Sequence, residues 1–139
     1  MTQTPGGSSS GSTVGVAAGF APVSIGTETL GSIVQPASRA ALYGLKASLG
    51  WTNTAGVLPG GSSFDCLGGL AKTPLDLANL MSVLMGGRDF SNSLKSSWFG
   101  VNVGFVDATL WESPVQVCEP DEEFRKQLVR LCRKANGFH

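Results

Sequence analysis

Pro5-Gly6-Gly7-Ser8-Ser9-Ser10-Gly11-Ser12 and Gly26-Thr27-Glu28-Thr29-Leu30-Gly31-Ser32-Ile33 place two serines, Ser8 and Ser32, on glycine-rich turns twenty-four positions apart. Glycine lets a backbone turn sharply and lets other groups approach it closely, so this pairing points to an acyl-transfer site. A serine hydroxyl is a poor nucleophile until a base in hydrogen-bond reach removes its proton. His139 is the last residue of the sequence, where chains fray, so a Ser-His-Asp arrangement is not supported. Two blander readings stand beside the sharp one. Serines occur in glycine-rich turns simply to bond nearby backbone. A glycine-rich stretch ahead of a helix can also cradle an anion, although 6–12 lacks the Lys-Ser/Thr ending of a P-loop.

Composition narrows the classes. A chain of 139 residues fits one domain that buries roughly two thirds of its unfolded surface. Hydrophobic residues make up 42%, charged residues 14%, and the mean hydropathy is +0.12, a balance that suits the interior of a larger protein. Lys plus Arg and Asp plus Glu are each 10, so no net field favours nucleic acid or an anionic membrane. No apolar run approaches the roughly 18–20 residues of a membrane span, and no secretory signal pattern opens the chain, so a cytoplasmic location is expected. Cys66, Cys118 and Cys132 lack metal or redox spacing and read as reduced, mostly buried thiols.

Beyond the first serine turn, the small residues of 12–19 predict a short buried helix capped by Ser10 or Ser12, and 22–26 a strand ending at the second turn. A brief helical turn over 31–41 is interrupted at Pro36. A strand over 42–46 precedes a surface loop over 51–64, and Asp65 closes that loop on backbone N–H groups. A further strand follows. Thr73-Pro74 and Gly86-Gly87 bracket a helix over 75–85 whose apolar residues occupy nearly the whole circumference, which predicts burial on most sides. A strand over 101–106 and a helix opened by Pro120 and closed by Gly137 complete an α/β chain. Residues 1–90 read as one segment and 91–139 as a partial continuation of the same domain.

The two serine turns, in this order and spacing, resemble the amidase signature family, with its Gly-Gly-Ser-Ser-Gly-Gly loop and its Gly-Thr-Asp/Glu-x-x-Gly-Ser-Ile turn. Tyr43-Gly44-Leu45-Lys46 and the stretch 65–72 are similar to further family segments, and the match weakens over 98–106. The resemblance implies a mixed sheet covered by helices, of which this chain is an interior fragment incomplete at both ends. It implies hydrolysis of a small-molecule carboxylic amide through a Ser32 acyl-enzyme, with Ser8 as bridging serine after a cis Gly7–Ser8 bond. The oxyanion hole then consists of the N–H groups of Thr29, Leu30, Gly31 and Ser32, with no metal or organic cofactor. The family's lysine base belongs upstream of Pro5, and the sequence starts four residues before it. The expectation is a truncated hydrolase, or alternatively a non-catalytic remnant or binding subunit without turnover, with a partner chain as one conceivable source of the missing segment. Lys46 and Lys72 read as solvated or structural cations. Leu30 stands where the family commonly has Gly or Asp, and would be strained if the position requires positive φ.

Overall fold

The computed structural model describes residues 4–102, 104 and 122–135. The chain divides into two compact units, residues 1–96 and 97–139. The first holds helix α1 (Ser10–Ala17), strand β1 (Val23–Glu28), helix α2 (Val34–Arg39), strands β2 (Tyr43–Lys46) and β3 (Cys66–Ala71), helix α3 (Pro74–Leu84) and a 3-10 turn at Ser91–Ser93. The second holds helix α4 (Glu122–Ala135), with Glu122 and Glu123 in its first turn, where carboxylates complement the helix dipole.

The three strands form an antiparallel sheet in the order β1-β3-β2, so the strand latest in sequence is central. Its burial explains its composition. Successive side chains of a strand face opposite sides, and β3 is covered on both. Leu70 packs with Ile33 and Ala37 of the α2 side, whereas Ala71 packs with Leu77 and Met81 of α3. Leu70 and Ile33 are fully buried, each contributing about 1.5–3 kcal/mol of burial free energy. Gly68 and Gly69 have no room for side chains. A Cβ on Gly68 would stand 2.0 Å from the Leu45 carbonyl oxygen, and one on Gly69 within 2.8–3.1 Å of Leu80, Leu77 and Met81.

Helix α3 starts where its caps predict: the Thr73 hydroxyl accepts from Asp76 N–H at 3.1 Å, and Pro74 occupies the first turn, where a missing N–H costs nothing. Its burial differs from the expectation. Leu77, Ala78 and Met81 face the sheet, but Leu75 and Val83 are exposed, because only one face of the helix meets a layer.

Four further expectations are corrected. Strand β1 runs through Gly26-Thr27-Glu28 instead of stopping before the second turn, because each of these residues pairs with β3. Pro36 does not interrupt α2, since it lies in the first turn. Helix α1 begins after Ser9, whose side chain makes no cap bond, and it buries only Thr13 and Val16. Val101, Asn102 and Gly104 are not in a strand, and the rest of the 101–106 expectation lies outside the described residues. Pro120 and Gly137 also lie outside them. Cys66 is a buried free thiol, while Cys118 and the Cys132 side chain fall outside the described set.

Candidate active site

The sheet and the helices behind it bring the two serine turns together. The Ser9 N–H donates to the Ser32 carbonyl at 3.0 Å, joining one loop to the other. The buried Ser9 hydroxyl brackets β1, donating to the Thr27 carbonyl and accepting from the Thr27 N–H, both at 3.2 Å. Helix α1 is stitched to the same strand, for Ser12 Oγ donates to the Ile25 carbonyl and Ser24 Oγ to the Ser12 carbonyl, each at 2.8 Å. Ser10 Oγ donates to the Gly6 carbonyl. The neighbouring serines thus serve the loop, as their surroundings in sequence suggest, and the Gly7–Ser8 bond is cis, as the resemblance implies.

Ile33 seats the second turn. Its side chain occupies the space that Cβ atoms on Gly26 and Gly68 would take, at 3.0 Å from the first and 2.8 Å from the second. Glycines on adjacent strands therefore make a socket, and the residue after Ser32 fills it. The turn is also held from within. The Glu28 carboxylate, 5% exposed, accepts from the Ile33 N–H at 2.6 Å and from the Val34 N–H at 2.9 Å. Burial alone would push its pKa up, but the N–H groups of Val34, Ile33 and Gly31, together with the Lys46 ammonium, outweigh it and hold the carboxyl below its ordinary value. In sequence Glu28 fills only the Asp/Glu position of the turn, with no sign of these partners. Glycines at 26, 44 and 68, one on each strand, were the available signal for the socket.

Thr29, next along the turn, is gripped from two sides. Its hydroxyl donates to Asp65, and its carbonyl accepts from Lys46 Nζ at 2.6 Å. Asp65 also accepts from the N–H groups of Gly60 at 2.5 Å and Gly61 at 2.8 Å, so it ties the 51–64 loop as its sequence predicts. The Thr29 hydroxyl, then the Gly61 N–H, do most to lower the Asp65 pKa; desolvation opposes them, and the Gly60 N–H and Lys46 add to them.

A cleft of about 380 Å³ results, lined on one side by Ser8, Thr27, Glu28, Thr29 and Ser32 and on the other by Thr54, Val57, Leu58, Pro59, Gly60 and Ser62 of the loop. Ser8 and Ser32 thus open onto one space. Among the described residues, no hydrogen bond engages either hydroxyl. Leu30 and Gly31 do not line the cleft, and Leu30 is 90% exposed. The anticipated strain at Leu30 does not arise, since the positive φ of this turn, 78°, belongs to Gly31. Among the described residues no group of three or more His, Cys, Asp or Glu is placed to hold a metal ion, and no helix is long and apolar enough to cross a membrane.

A glutamyl-tRNA(Gln) amidotransferase subunit of Deinococcus deserti is 45% identical over 86 residues, which cover 62% of this chain and 18% of that protein. The corresponding amidotransferase subunit of Francisella tularensis subsp. tularensis is 35% identical over 131 residues, covering 86% of this chain and 27% of its own length. Among solved structures, an amidase family protein from Bacillus anthracis str. Ames superposes with a TM-score of 0.56 at 46% identity, over 58% of this chain and 16% of that one. The native peptide amidase from Stenotrophomonas maltophilia gives 0.54 at 36% identity, over 68% and 20%. The chain therefore spans about a fifth to a quarter of the length of the relatives it matches. The family model described as Amidase matches residues 1–126, both serine turns included, and on that match the chain belongs to the amidase signature family.

Proposed function

We propose that this chain carries the nucleophile half of an amide-hydrolysing site, in which Ser32 Oγ attacks the carbonyl carbon of a small-molecule amide to form an acyl-enzyme. Ser8 bridges the proton transfer, and N–H groups of the turn 29–32 receive the developing oxyanion. Of these residues Thr29 and Ser32 line the cleft, while the Gly31 N–H is engaged by Glu28 and Leu30 stands outside the lining. The observation that carries this reading is the shared cleft, onto which two hydroxyls free of hydrogen bonds to described residues both open. In the first step the Ser32 proton leaves through Ser8 to a base, and the amine departs with a proton returned along the same path. Water then cleaves the ester.

Lys46 donates to Thr29, and no lysine is among the described residues lining the cleft; within this reading the base is a lysine supplied by a partner chain. Relatives named as amidotransferase subunits support a partner. Within this reading residues 1–90 form the signature segment, 91–139 continue the same domain, and the location is cytoplasmic. The competing reading is a non-catalytic scaffold or binding subunit.

A fluorophosphonate probe separates the two. The expected result is a single adduct, located by mass spectrometry at Ser32 and abolished by Ser32→Ala. A folded protein that takes up no probe, alone or with its partner, overturns the hydrolase reading in favour of the scaffold.

A further inference from the structure

The loop wall of the serine cleft carries Val57-Leu58-Pro59, three successive apolar residues flanked by Gly56 and Gly60. The run is held at both ends. Before it, the Val57 N–H donates to the Thr54 carbonyl at 3.0 Å, closing a turn in which Gly56 has a φ of 83°. After it, the N–H groups of Gly60 and Gly61 donate to Asp65. Pro59 adds its own fixed φ and restricts Leu58, the residue before it, to extended backbone. Val57 is half-buried, whereas Leu58 is 95% exposed while lining the cleft. A single exposed leucine on open surface calls for no explanation. Leu58 differs because the backbone on either side of it is fixed and the cavity beside it also contains both serines.

We propose that Val57-Leu58-Pro59 forms a subsite for an uncharged apolar group of the amide substrate, with Leu58 as its specificity-determining residue, so that the site prefers amides bearing an alkyl or aryl group to small polar ones. The inference rests on the acyl-enzyme reading above and names its substrate class. The charged groups of the lining are engaged within the protein: Glu28 accepts from the Ile33 and Val34 N–H groups, and Asp65 from Gly60, Gly61 and the Thr29 hydroxyl. Both carboxyls are held below their ordinary pKa values, so they are ionised at neutral pH and disfavour an anionic substituent. What the loop wall offers to the non-reacting part of a substrate is apolar surface. Burying such surface is favourable in proportion to its area, and a wall ordered beforehand loses little freedom when it is covered. The cleft, at about 380 Å³, has the volume of a small-molecule site.

The test uses the full chain, with any partner that co-purifies, as wild type, Leu58→Ser and Leu58→Met. Each is labelled with three fluorophosphonates that differ only in a methyl, propyl or hexyl group on phosphorus, and the second-order rate at Ser32 is measured. In wild type the rate is expected to rise with chain length, by up to about fourfold for each methylene group buried. Leu58→Ser is expected to cut the hexyl-to-methyl rate ratio about fivefold or more, and Leu58→Met, which keeps an apolar side chain, to restore it. A general loss of structure slows all three probes together and leaves that ratio where it was. Equal rates across the wild-type series overturn the subsite, whatever the variants do. An unchanged ratio in folded Leu58→Ser overturns the role of Leu58, and loss of a co-purifying partner from that variant with the ratio intact assigns Leu58 to a protein contact instead. Absence of labelling by every probe, the methyl compound included, in folded wild type is a different failure: it removes the acyl-enzyme reading, and the subsite with it.

Discussion

Glu28 concentrates the energetics of the site in one side chain. Its two charge-assisted bonds to the Ile33 and Val34 N–H groups each contribute about 1.5–3 kcal/mol at most, and they act on the residues that follow Ser32. Glu28→Ala leaves two N–H groups and a cavity behind, so we expect it to lower the thermal midpoint by more than Glu28→Gln, which keeps an acceptor oxygen. The sign of the pH dependence follows from the lowered pKa of the folded protein. The stabilisation is fully present above the unfolded glutamate value of about 4.3, and is lost as pH falls through the lower folded value. Asp65, also lowered, acts in the same direction. Thermal melts between pH 7 and pH 3 should show wild type losing stability at the acid end, with a shallower loss in Glu28→Gln. Equal slopes in the two proteins contradict the assignment.

Among the elements, α3 and the 51–64 loop show two ways in which a segment is held. Helix α3 relies on local chemistry: the Thr73 hydroxyl satisfies the Asp76 N–H, and the Asp76 carboxylate accepts from that hydroxyl at 2.7 Å. Thr73→Ala should therefore cost about 1 kcal/mol, read as a drop of several degrees in the thermal midpoint, with Ser32 labelling retained; a drop below one degree argues that packing alone sustains the helix start. The loop has no periodicity of its own and depends on Asp65, which clips it to Gly60 and Gly61 and to Thr29 across the cleft. Its far end is steadied by Arg88, whose guanidinium lies 4.4 Å from the Trp51 ring centroid. Turn and cap residues made α3 legible in advance. The loop's role as the second wall of the site was not, because nothing local says what a glycine-rich segment lies against.

For the first unit as a whole, β3 is the organising strand, paired on both edges and covered on both faces. Amide hydrogen exchange should be slowest at Gly69 and Leu70 and faster on the outer edges of β1 and β2; equal protection across the sheet would contradict the central placement of β3. Between β2 and α3 an apolar groove of about 430 Å³ is lined by Tyr43, Leu45, Trp51, Met81, Met85 and Phe90, consistent with the high hydropathy of so short a chain. Residues adjacent in the chain, whose backbone preferences act locally, were enough to establish the family, the two serine turns, the boundaries of α3 and the presence of β2. Long-range packing settled the rest: that Ser8 and Ser32 open onto one cleft, that Ile33 fills a socket of glycines, that Glu28 holds the turn, and that Lys46 and Asp65 converge on Thr29. Lys46 and Asp65 stand 17 and 36 positions from Thr29. Only the pairing of β3 between β1 and β2 brings them within hydrogen-bond reach, and pairing order is a property of buried surface and register that no local pattern of residues encodes.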